Sequence, residues 1–100
     1  MAEVTSIAVM EALEGKQDDL LTVLHELYAV LALKNYSTNE LYQDPKTQQL
    51  INIRHWKSEA HRERAQEDPD VQRCWAKMGL LCEVRVVYET LVGIWNRNDR

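Results

Sequence analysis

What this chain of 100 residues lacks excludes several functions before any motif is weighed. No apolar run approaches the ~20 residues needed to cross a bilayer, and Met1 to Thr5 lacks the charged-then-apolar pattern of a secretory leader. Basic residues are in the minority: 12 Lys and Arg stand against 16 Asp and Glu, for a net charge of −4 and a pI of about 5.3. Nucleic acid and anionic membrane are therefore not expected as partners, since either needs a concentrated basic face. Lys57, Arg62 and Arg64 hint at one, but Glu59, Glu63 and Glu67 interrupt them as on a solvated helix surface. There is no Gly-x-Gly-x-x-Gly loop, phosphate loop or nucleophile elbow to support nucleotide or flavin binding or serine hydrolysis. Cysteine is scarce. Cys74 and Cys82, if on one helix, lie ~12 Å apart, too far for a disulfide, and with no histidine near them they make no metal site. Both are expected as reduced core residues of a cytoplasmic protein that holds no metal and no cofactor.

What is there reads as a single α+β domain over residues 1–100, with a core from about 4 to 92 and a tail from 93 to 100. Val4 to Met10 alternates as a half-buried strand, Ile7 and Val9 against Ser6 and Ala8, and Glu11 to Gly15 is the turn after it. Lys16 to Leu33 switches to helical period, with Leu20, Leu24, Leu27 and Leu31 on one stripe that Leu21 and Tyr28 widen. Thr38 to Gln43 and Gln49 to His55 read as a hairpin around Asp44-Pro45-Lys46. Ser58 to Glu67 is a mostly charged helix, which Asp68 and Pro69 restart as N-cap and first helical residue. The continuation to about Leu81 puts Val71, Cys74, Trp75, Met78 and Leu81 on one side. Glu83 to Val92 alternates with large apolar groups in both series, as in a central or interfacial strand. The order strand, helix, strand, strand, helix, strand is the split βαβ or ferredoxin-like unit (βαββαβ), two helices over one face of a four-stranded antiparallel sheet. Its second face needs covering, Val87 and Leu91 are among the candidates to line it, and a C2 homodimer is the commonest solution.

Candidate chemistry gathers where the third strand runs into its helix. Asn52, Arg54 and Trp56 occupy alternate positions, so a carboxamide, a guanidinium and an indole share one strand face. Trp56 is either a plug in the core or the wall of a pocket. Trp75 and Met78 could wall the same pocket or belong to a packed stripe, and Tyr28 could join them from the long helix. The histidines His25, His55 and His61 lie close to this corner or to the helix stripe, and histidine can serve as a general base near neutral pH because its unperturbed pKa is about 6.5. His55 would point to the other sheet face, which favours His61 and His25.

From Val4 to about Val92 the chain resembles the antibiotic biosynthesis monooxygenase domain family, the dimeric α+β barrels. The resemblance is carried by the first strand and Gly15 before the long helix, by Glu40-Leu41-Tyr42-Gln43-Asp44-Pro45, and by Trp56-Lys57-Ser58-Glu59 at the corner. It implies an intimate homodimer and, in characterised members, cofactor-free oxygenation of aromatic or quinol-like substrates in a pocket between sheet and helices. Polyketide-hydroxylating members carry an asparagine four residues before the tryptophan, which Asn52 matches, and a tyrosine on the following helix, where this chain has His61 and Arg62. The haem-degrading branch needs an asparagine in the first strand and a histidine on the second helix; those places fall near Ala8 and Trp75, so haem chemistry is not expected. The resulting expectation is a cofactor-independent monooxygenase in which Asn52 and Arg54 hold developing negative charge and Trp56 stacks on the ring. The alternative is a non-catalytic homodimer of the same fold that binds a small ligand or a partner protein.

Overall fold

A computed structural model describes residues 3–95. The expected tail is thereby described only through Trp95, and its remaining residues lie outside the described range. Seven elements follow one another: β1 (Val4–Ala12), α1 (Gln17–Leu33), β2 (Ser37–Gln43), β3 (Leu50–Trp56), α2 (Glu59–Glu67), α3 (Pro69–Gly79) and β4 (Cys82–Leu91). The sheet is four-stranded and antiparallel in the order β2-β3-β1-β4, the ferredoxin-like α+β arrangement. The helices on it number three, because Asp68 takes an extended conformation (φ −77°, ψ 122°) between α2 and α3 and serves as C-cap of one and N-cap of the other.

The leucine stripe of α1 is the main contribution to the core: Leu20, Leu24, Leu27 and Leu31 are fully buried, each contributing about 1.5–3 kcal/mol of transfer free energy. Leu27 and Leu31 pack with Val4, Trp56, Ala65, Val71 and Cys74, while Leu20 and Leu24 pack with Met10, Leu50 and Cys82. Met78 and Tyr28 bridge the two clusters. The helix ends where Asn35 adopts a left-handed φ of 62°, a conformation that asparagine tolerates better than most residues. Tyr36 N–H then returns to the Leu31 carbonyl at 2.9 Å. Both cysteines are free and buried, and burial pushes their thiols above the ordinary range.

Two expectations about strand faces are corrected. In β1 the helix-facing residues are Val4, Ser6, Ala8 and Met10, so Ile7 and Val9 lie on the helix-free face; large side chains at the strand ends, Val4 and Met10, choose the side. In β4 the alternation does not persist. Cys82 and Val84 pair with Ala12 and Met10, but Val86 pairs with Val9 and Val87 with Ala8, since an extra residue enters β4 opposite Val9 and Met10. A second irregularity lies opposite Thr5 to Ile7. The first bulge turns Val87 toward the helix side, away from the outer face proposed for it, while Tyr88 opposite Ile7 and Leu91 opposite Thr5 stay outside. β4 is also an edge strand, not a central one.

Asp68 ties the helical layer together. Its carboxylate accepts from Lys34 Nζ (2.8 and 2.7 Å), from Tyr36 Oη (2.8 Å) and from the Asp70 N–H (2.9 Å), joining the end of α1 to the start of α3. The Lys34 contact, followed by the tyrosine bond, holds its pKa below the ordinary carboxylate value. A depressed folded pKa contributes stability that is present above the unfolded value near 4 and is lost as pH falls through the folded one. Asp68→Asn keeps a good N-cap but removes the charge. It is therefore expected to melt at a lower temperature than the parent at neutral pH, with the gap closing below about pH 4; thermal melts across that range check it, and a constant gap would contradict the assignment.

Candidate functional site

The helices do not cover the sheet completely, and a cavity of about 240 Å³ remains against β1 and β3. It exists because β1 contributes the small side chains Ser6 and Ala8 there, between the larger Val4 and Met10 on its helix-facing side. Across from them on β3 stand Asn52, Arg54 and Trp56, which do share a face. Arg62 and Gln66 enter from α2, Trp75 from α3, and Val87 and Glu89 from the edge strand β4.

Trp56 resolves its two readings by being both. It is 2% exposed and packs in the core cluster of α1, yet its edge also walls the cavity. Its indole Nε1–H donates to Ser6 Oγ at 2.8 Å, and the Ser6 hydroxyl donates to the Glu89 carbonyl at 2.5 Å. This relay links β3, β1 and β4 at cavity level and fixes the tryptophan ring plane.

Arg54 is the unusual group. Its Nε donates to Asn39 Oδ1 at 2.7 Å and its Nη2 to Asn52 Oδ1 at 2.9 Å, while Asn52 Nδ2 donates in turn to the Glu40 carbonyl at 3.3 Å. The guanidinium carbon lies 5.4 Å from the Trp56 ring centroid, within cation–π range. Among the described residues no carboxylate pairs with it, and Nη1 has no protein partner. Burial lowers its pKa to about 10, so at neutral pH it is a desolvated cation whose polar neighbours are neutral carboxamides. Beside it the Tyr28 hydroxyl is buried with no hydrogen-bond partner, and burial pushes its pKa up to about 12 against the pull of Arg54. Tyr28 therefore stays neutral.

Of the side chains singled out in the sequence, Asn52, Arg54, Trp56 and Trp75 meet at the cavity. His25, His61, Tyr28 and Met78 are not part of its lining. His25 is exposed on α1. His61 Nδ1 is engaged by Ser58 Oγ at 2.7 Å, the same hydroxyl that caps α2 by accepting from the His61 N–H. Met78 packs between the core clusters. His55 points to the opposite sheet face, toward Thr5 and Glu40. The sequence reading missed Ser6, Arg62, Gln66 and Glu89. Arg62 and Gln66 are four residues apart on α2 and so share a face, a signal the surrounding charges obscured. Among the described residues no group of three or more His, Cys, Asp or Glu is placed to hold a metal ion.

Asn52 has buried partners on both sides of its amide, so it is not a spare cavity group. Truncating it to alanine is expected to destabilise the fold by about 1–3 kcal/mol, because Arg54 and the Glu40 carbonyl each lose a bond. Arg54→Met should behave differently. An apolar side chain of similar length removes the cost of the desolvated charge but leaves the Asn39 and Asn52 carboxamide oxygens without a donor, so the melting temperature is expected to change little, while any binding of anionic aromatic ligands, followed by tryptophan fluorescence, is lost. A large drop in stability with binding retained would contradict this reading of Arg54.

No family model matches the sequence, and no curated protein does. Solved structures do match over nearly the whole chain. A proposed antibiotic biosynthesis monooxygenase from Chloroflexus aurantiacus aligns with a TM-score of 0.79 at 20% identity, covering 97% of this chain and 98% of its own. SnoaB, a cofactor-independent oxygenase from Streptomyces nogalater, aligns with a TM-score of 0.77 at 16% identity over 94% of this chain and 98% of its own. A mutant of SnoaB reaches 0.84 at 13% identity over 99% and 100%. A conserved protein from Methanosarcina mazei gives 0.74 at 13% identity over 89% and 93%. The chain has the fold of the antibiotic biosynthesis monooxygenase proteins.

Proposed function

We propose that the chain is a cofactor-independent monooxygenase for a small phenolic or quinol-type substrate. The observation that carries this reading is the half-buried Arg54, which among the described residues has no carboxylate partner, on the floor of a cavity walled by Trp56 and Trp75. An unpaired charge in a poorly solvated place is costly, and an anionic ligand offsets that cost. The tryptophans select a flat ring, and the guanidinium favours it as phenolate or enolate. Such an anion is electron-rich enough to reduce oxygen directly. Overall, a ring C–H opposite the hydroxyl becomes a carbonyl: O2 delivers one oxygen to the product and the other leaves as water. Asn52 and Asn39 keep Arg54 in place, so the donors stand ready where charge develops. Support from outside the site comes from the fold likeness to SnoaB, a cofactor-independent oxygenase.

The same reading includes a homodimer in the cytoplasm, built across the helix-free sheet face. That face carries Ile7, Val9, Ile51 and Ile53, with Tyr42 and Tyr88 each 53% exposed and Val86 41% exposed. Exposed apolar side chains gathered on one face support an interface there, and obligate dimers often bury about 2,000 Å² or more in total.

Oxygen consumption measured against a panel of phenols, naphthols and anthrones with a free C–H opposite the hydroxyl is expected to exceed the buffer rate for at least one class, with a quinone carrying one atom of O2 as product. Trp56→Phe and Arg54→Met should lower it in step with ligand affinity. No uptake across the panel, together with tight binding of the same compounds, would favour a non-catalytic binding module. Sedimentation at micromolar concentration should show twice the 11.7 kDa protomer mass; a protomer alone would reject the dimer.

A further inference from the structure

Oxygenation of a phenol through its anion requires somewhere for the proton to go, and none of the three histidines lines the cavity. One acidic residue does: Glu89 on β4, exposed to solvent at the open side, is the sole acidic residue among the described cavity-lining groups. We propose that Glu89 takes the proton from the bound phenol, an inference that rests on reading the cavity as a phenol site. The proton leaves the ring hydroxyl for a Glu89 carboxylate oxygen, and the electron pair of that O–H bond stays on the substrate as phenolate beside Arg54.

Four features support the assignment. The β4 bulge opposite Val9 and Met10 reverses which residues of the strand face inward, and without it Tyr88 rather than Glu89 would face the cavity. The backbone at Glu89 is held by the Ser6 hydroxyl, which is itself the acceptor for Trp56, so base and stacking ring are positioned by one relay. Among the described residues no side chain hydrogen-bonds or ion-pairs with the Glu89 carboxylate, unlike those of Glu11, Glu40 and Glu59, which are engaged by Arg85, His55 and Arg62. The charged group that acts on Glu89 is Arg62 from α2; Arg54 lines the same cavity from β3 without pairing with it, while β1 presents Ser6 and α3 presents Trp75. Arg62 already shares its charge with Glu59, with Nε and Nη2 at 2.8 and 2.7 Å from one oxygen. A free phenol keeps its proton up to about pH 10, so a carboxylate takes it only where a cation stabilises the phenolate. Arg54 is that cation.

The test uses the full chain, Glu89→Gln and Glu89→Asp, with 4-hydroxybenzaldehyde as probe, since its phenolate absorbs at longer wavelength than the phenol. Below the probe's own pKa, the wild type is expected to show the phenolate band on binding with no net proton released, as counted by calorimetry in buffers of different ionisation heat. Glu89→Gln should leave the probe neutral or discharge a proton to the buffer, and Glu89→Asp should recover the wild-type pattern in part. In oxygen uptake with an accepted phenol or anthrone, Glu89→Gln should lose about 10²-fold or more in kcat with little change in KM. A wild type that does not bind the probe, or binds it neutral, overturns the assignment, as does a glutamine variant that matches the wild type in band and proton count. The two readings fail separately. A probe ionised through Glu89 with no oxygen consumed with any phenol or anthrone rejects the monooxygenase and leaves the proton acceptor standing. Unchanged kcat in Glu89→Gln rejects the acceptor and leaves the monooxygenase standing.

Discussion

A guanidinium held over an indole by two carboxamides is the constraint around which this small protein is arranged. Arg54 is kept in a cavity with no counter-ion among the described residues, a state that costs free energy, and the surrounding residues serve to keep it there: Asn39 from β2, Asn52 two places earlier on its own strand, and the Trp56 ring beneath it. Each of those groups is in turn anchored, Asn52 by the Glu40 carbonyl and Trp56 by Ser6 and the α1 core. Removing one member leaves another short of a partner, so the members hold one another in place. A scaffold that needed stability alone would have placed an aliphatic residue at this position.

The position is sustainable because the remainder of the protein is conventionally well packed. The α1 stripe fills the sheet from Leu20 to Leu31, and α3 closes over it with Val71 and Cys74. The Asp68 junction holds both helices and a tyrosine with one side chain. Since α2 buries only Ala65 among its own residues, it depends on this junction and on the Ser58 cap for its place. Arg62 and Gln66 therefore sit on the least anchored helix of the fold, and the cavity has one soft wall facing a stiff floor.

The parts of the fold that could be read from sequence are those where one local rule decides. Leucines at helical spacing gave α1, Asp68 followed by Pro69 gave the start of α3, and alternate placement of Asn52, Arg54 and Trp56 gave the floor of the cavity. What escaped was set by tertiary competition. Ile7 and Val9 look like core residues, but Val4 and Met10 have the better partners in α1 and take the inner face, and the inner Ser6 and Ala8 then leave the void. His61 looks like a base, but Ser58 next to the helix start captures its ring. Glu89 was hidden for a different reason: alternation assumes an uninterrupted ladder, and no residue in Glu83 to Tyr88 signals that one is interrupted.

That interruption has a consequence for how such a site could change. β4 has a partner on one side only, so sliding it by a single residue against β1 disturbs one ladder and leaves the other three strands as they are. Such a slip exchanges the two faces of the strand in one step: Tyr88 swings inward and Glu89 outward, and a cavity with one acidic lining residue becomes one lined by three aromatic rings. An insertion or deletion in this edge strand thus changes which side chains line the pocket without any substitution among them.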